Sequence, residues 1–119
     1  MGANNLQVRT KTFALRIIKL VNALPDNITG RTIANQLIRS GTSVGANYRA
    51  VCRSRSRNDF IAKLGIVIEE VDESAFWLEL IIEAKIMPLE LIKSLLDEAN
   101  ELTAIMVVSR KSSQKNKNS

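Results

Sequence analysis

At 119 residues, 45% of them hydrophobic, with only two prolines, five glycines and one cysteine, the chain can build one helical core but not two ordinary domains or a disulfide scaffold. Histidine is absent, which removes the commonest general base and metal ligand. The net charge of +5 joins unlike parts: residues 1–57 hold ten Lys or Arg against Asp26 alone (+9), residues 58–109 hold three against eleven acids (−8), and residues 110–119 add +4. The basic half is suited to nucleic acid, or equally to facing the acidic half within a subunit or across a subunit interface.

The N-terminus lacks the apolar core of a signal peptide. Charge also interrupts every apolar run before the roughly 20 residues of a membrane span, so a cytoplasmic protein with no membrane role is expected. The first helix is predicted over about Leu6 to Ala23, with Phe13, Ile17, Leu20, Val21 and Leu24 forming one stripe. Pro25 ends it, because proline is unsuited to a helix interior.

The apolar rhythm restarts at Ile33. The stretch SGTSVGANYR, residues 40–49, has the glycines and hydroxyls of a loop, yet its phase is helical. At about 100° per residue, Ile33, Leu37, Gly41, Val44, Gly45, Tyr48 and Val51 fall on one side, so Gly41 and Gly45 are predicted to let a neighbouring helix approach. Arg31, Arg39, Arg49, Arg53 and Arg57 gather on the other side and are the candidate nucleic-acid-binding residues. Their planar guanidinium groups suit phosphate oxygens.

A second turn is placed near Arg55 to Asn58, where Ser56 stands three residues before Asp59 in a capping-box pattern. From Phe60 a third helix carries Leu64, Val67, Ile68, Val71, Ala75, Leu78 and Ile82 on one face, and ends before Met87-Pro88. A second apolar set, Ile66, Trp77, Leu80, Ile81 and Ala84, lies away from that face and is predicted to form a homo-oligomer interface. Pro88 opens a fourth helix with Leu91, Ile92, Leu95, Leu96, Ala99, Leu102 and Met106 as its stripe. The expected fold is therefore an all-α, antiparallel up-down four-helix bundle over residues 1–109, with residues 110–119, RKSSQKNKNS, as a disordered basic tail.

Little in the chain points to catalysis. The acids Glu69, Glu70, Asp72 and Glu73 have no histidine with which to complete a di-iron site and read as a solvated or salt-bridged face. Cys52 reads as a buried, inert thiol on the apolar side of its helix. The glycines of residues 40–49 lack the Gly-Lys-Ser/Thr ending and the preceding strand of a phosphate-binding loop. No enzyme activity, metal or cofactor is expected. The few aromatic residues favour recognition of a nucleic-acid backbone or shape over base stacking.

The runs QLIRSGTSVGANYRA, residues 36–50, and DFIAKLGIVIEEVDESAFWLELI, residues 59–81, closely resemble the bacterial proteins named for reading frames inside intervening sequences of 23S rRNA genes. The resemblance spans about residues 8–108. It implies a four-helix bundle assembled as a ring-shaped homopentamer. A related bundle, the accessory variability determinant of diversity-generating retroelements, is a basic pentamer that works with a reverse transcriptase and binds nucleic acid. By that analogy an RNA- or DNA-binding adaptor is implied; the alternative is a structural or protein-interaction oligomer without nucleic-acid binding. Many family members read Ala-Asn-Ile-Ala-Glu-Gly where this chain has Ala46-Asn47-Tyr48-Arg49-Ala50-Val51, a basic segment in place of an acid-containing one.

Overall fold

A computed structural model describes residues 3–118 as four helices: α1 (Ala3–Ala23), α2 (Ile28–Val51), α3 (Arg57–Glu83) and α4 (Leu89–Asn118). No strand occurs among the described residues. The helices run up and down in chain order. Each packs on the next, α1 meets α4 over a shorter stretch, and the diagonal pairs α1–α3 and α2–α4 do not meet. The result is a rod-like bundle of 51 × 23 × 20 Å.

The core follows the predicted stripes except at Leu91, which lies in the first turn of α4 and is 62% exposed. Phe13 and Ile17 from α1, Leu37 and Val44 from α2, Leu64, Val67, Val71 and Leu78 from α3, and Ile92, Leu102 and Met106 from α4 are all fully or almost fully buried. Burial of large aliphatic side chains on this scale is the main source of stability in a bundle. One polar contact crosses this interior: the Ser40 and Ser74 hydroxyls lie 2.9 Å apart between α2 and α3, and Ser74 also donates to the Glu70 carbonyl at 2.9 Å.

The glycine-bearing stretch is continuous helix. An added Cβ on Gly41 would fall 2.7 Å from Cγ1 and Cγ2 of Ile17, so α1 and α2 come together there because Gly41 has no side chain. Gly45 faces the same helix, its nearest neighbour being the Thr10 carbonyl oxygen at 3.3 Å from such a Cβ.

Three boundaries differ from the sequence reading. Helix α2 begins at Ile28, well before Ile33, because the Asn27 side chain caps it by accepting from the Gly30 amide at 2.8 Å. Cys52 is exposed rather than buried: it is the C-cap of α2, still in helical phase but at the edge of the apolar arc, where the helix gives way to the turn. Helix α4 continues to Asn118 where a disordered tail from Arg110 is expected. No proline or glycine interrupts it, and Arg110 Nε donates to the Ile61 carbonyl at 3.0 Å, fixing the extension to α3. Ser119 lies outside the described residues.

The second turn matches its predicted capping chemistry. Ser56 Oγ accepts from the Asp59 amide at 3.0 Å, and Asp59 reaches back to the Arg55 amide at 3.1 Å. The third turn closes with Lys85 at φ 56°, in the left-handed region. There the Ile86 amide bonds to the Ile81 carbonyl and the Lys85 amide to the Ile82 carbonyl, as in a Schellman motif.

Candidate nucleic-acid interface

The five candidate arginines share one angular sector of α2 and its extension, but the structure spreads them along the bundle. Arg31 sits in the first turn of α2 and pairs with Asp26 at 2.8 Å. At 1.5 Å per residue it lies about 27 Å from Arg49 along the helix axis, so it does not belong to a common site. Arg39, halfway along, is held by α3: it pairs with Glu70 at 3.2 Å and with Glu73 through a second short contact. Hydrogen bonding from Arg39 lowers the Glu73 carboxyl pKa, and the Trp77 indole N–H also donates to Glu73, at 3.4 Å. Arg39 therefore faces carboxylates of its own subunit.

The other three lie at one end of the bundle. Arg49 occupies the last turn of α2, where a cation is favoured by the helix dipole; Arg53 lies in the turn, and Arg57 is the first residue of α3. Arg49 and Arg53 line a groove of about 630 Å³ together with Arg55, Lys63 and the capping pair Ser56 and Asp59. Asp59, the groove's only acid, pairs with Lys63 at 3.0 Å. The hydrogen bond from Lys63 and the one from the Arg55 amide hold its carboxyl below the usual carboxylate range. Arg49, Arg53 and Arg57 form no ion pair among the described residues.

Arg49 also forms part of a second groove of about 530 Å³, which runs between α1 and α2 and includes Lys11, Ala14, Thr42 and Gly45. Arg49 and Ala46 are shared by the two grooves, and no aromatic residue lines either one. Lys111 and Lys115, on the α4 extension that Arg110 fastens to Ile61, add positive charge at the same end. Lys11, Arg55, Lys63 and the α4 lysines come from separate segments, so the phase of α2 alone could not reveal that they share one end of the bundle. Arg55 in particular reads in the sequence only as the start of the second turn.

The predicted interface residues also separate. Ile66 is 46% exposed, Trp77 and Leu80 are half-buried, and Phe76, which stacks edge-on against Trp77 with ring centroids 5.2 Å apart, is 51% exposed. Ile81 is a correction: it is fully buried in the subunit's own core. Because α3 packs against both α2 and α4, its buried arc is wider than one stripe and takes in Ile81 at its margin.

No group of three or more His, Cys, Asp or Glu among the described residues could hold a metal ion. No helix among them is long and apolar enough to cross a membrane. The fold and surface thus define an all-α four-helix protein whose most concentrated chemistry is a cluster of cations at one end. Comparison with known proteins gives that class a family. The model of the 23S rRNA-intervening sequence protein family matches residues 4–108, and the chain belongs to this family. It is also similar to a solved protein of unknown function from the S23 ribosomal protein family of Bacteroides thetaiotaomicron VPI-5482. The two are 32% identical, with a TM-score of 0.82 and coverage of 93% of this chain and 99% of that one. No curated protein is significantly similar.

Proposed function

We propose that the protein is a nonenzymatic adaptor that works as a homo-oligomer and binds the phosphate backbone of structured RNA or duplex DNA through the basic end of its bundle. The observation that carries the reading is the groove of Arg49, Arg53, Arg55 and Lys63, with Arg57 beside it, in which the single acid already has partners. A run of guanidinium groups without aromatic neighbours favours backbone contacts over stacking on bases. The ring of five subunits rests on the family resemblance, as does the thought that a reverse transcriptase or another protein is a partner.

The test is a titration of labelled 23S rRNA hairpins and duplex DNA over a range of salt concentrations. Four or five phosphate contacts predict a slope of about −4 in log affinity against log salt for duplex DNA. Combining Arg49→Glu with Arg53→Glu should abolish binding while circular dichroism still shows a folded bundle, its melt lowered only by the lost cation at the C-terminus of α2. Binding that ignores salt, or survives both reversals, overturns the reading. The other reading, an interaction oligomer without nucleic acid, is favoured by the opposite charges of α1 and α3. It predicts that the same reversals disrupt assembly and leave nucleic-acid binding as it was.

A further inference from the structure

We infer that self-association, which this inference takes from the reading above, joins the outer face of α1 in one subunit to the outer face of α3 in the next. On α1, Val8, Leu15 and Ile18 are 65%, 58% and 38% exposed, pointing away from the buried Phe13, Ile17 and Leu20. Lys11 and Lys19 stand among them, exposed and without ion pairs among the described residues, and α1 contains no acid. On α3, the exposed Ile66 and Phe76 lie with Leu80 on the side away from Leu64, Val71 and Leu78. Glu69, Asp72 and Glu83 flank them, exposed and unpaired in the same sense, and no Lys or Arg occurs between Leu64 and Ala84. Each face is therefore an apolar stripe bordered by charge of one sign, and the signs are opposite.

That opposition selects the pairing. Two α3 faces brought together would place carboxylate on carboxylate, and two α1 faces ammonium on ammonium, whereas α1 against α3 is complementary in charge and apolar on both sides. The two stripes belong to diagonal helices and face opposite ways. They also sit at one height: Ile17 packs on Gly41, and the adjacent Ser40 meets Ser74, so the middles of α1 and α3 are level. A contact between two different patches on opposite sides of a subunit is heterologous. It leaves each subunit two neighbours.

Two paired variants test this by light scattering at micromolar concentration, with circular dichroism confirming that each is folded. The first, Val8→Asp with Leu15→Asp, disables the α1 face; the second, Ile66→Asp with Phe76→Asp, disables the α3 face. Each alone should fall to the 13.2 kDa monomer. Mixed in equal amounts they should form a one-to-one heterodimer and stop there, because only one intact face of each remains and the two disabled faces are not complementary. A variant that keeps the wild-type mass, or a mixture that stays monomeric, overturns the face pairing while self-association stands. A wild-type protein that is itself a monomer overturns self-association as well.

Discussion

Replacing Gly41 with alanine tests the closest approach in the bundle. The new methyl would stand 2.7 Å from two carbons of Ile17 and 2.9 Å from a third, and Ile17 is fully buried. A β-branched side chain in a helix has one strongly preferred rotamer, so Ile17 cannot swing aside and the helices must part. Overpacking of this kind costs about 1–3 kcal/mol, while alanine recovers about 1 kcal/mol of helix propensity. With three carbons in the way, the upper part of that range applies, leaving a net loss of about 1–2 kcal/mol, or roughly 4–8 °C in Tm. Urea denaturation followed by circular dichroism measures it. Ile17→Ala alone should cost about 2–5 kcal/mol, but added to Gly41→Ala it opens the space the methyl needs, so the pair should show a favourable coupling of about 1–3 kcal/mol. Gly45→Ala, with its nearest neighbour at 3.3 Å, should be close to neutral. Additive effects, or a Gly41→Ala protein as stable as wild type, would refute the claim that Gly41 sets the spacing of α1 and α2.

Lys85 holds a left-handed conformation that costs an ordinary residue about 1–2 kcal/mol, so Lys85→Gly should raise stability by about 0.5–1 kcal/mol in the same denaturation assay. Ser74→Ala removes the partner of the buried Ser40 hydroxyl and should cost about 1–3 kcal/mol, most of which the double change Ser40→Ala with Ser74→Ala should restore. Burial, with a smaller contribution from Cys52, pushes the Tyr48 phenol up to about 12. The fold thus favours the neutral ring: the stability Tyr48 contributes is complete below a pH of about 10 and is lost as pH rises through about 12, a decline that Tyr48→Phe should reduce. As Tyr48 is the only tyrosine, its phenolate absorbance reports the titration directly.

The helices and most of the core were legible because burial in a bundle repeats with the 3.6-residue period, and that period survives even through Gly41 and Gly45. Phase failed at the cap of a helix, where Cys52 sits on the edge of the apolar arc, and where a helix has neighbours on both flanks, at Ile81. The candidate site was only partly legible for a related reason. Phase reports the angle of Arg31 and Arg39 but neither their height along the bundle nor their acidic partners; Arg39 meets Glu70 and Glu73 across two helices, more than 30 positions away in the chain. The basic end is likewise non-local, since Lys11 and Lys63 reach the two grooves that share Arg49 only through the up-down topology.

The short seam between α1 and α4 bears on how the chain folds. Every other packing is between consecutive helices, so three successive hairpins can form from contacts near in sequence, and the chain belongs among rapid folders. Only the seam requires the two ends of the chain to meet, and its recorded polar contacts are Arg9 with Glu98 and Glu101 and Arg16 with Ser94. Closure of the cylinder is then the last and most salt-sensitive event. In native-state hydrogen exchange, α1 should open along this seam before the α2–α3 hairpin does, so that the bundle unzips from its polar edge while its apolar middle remains folded.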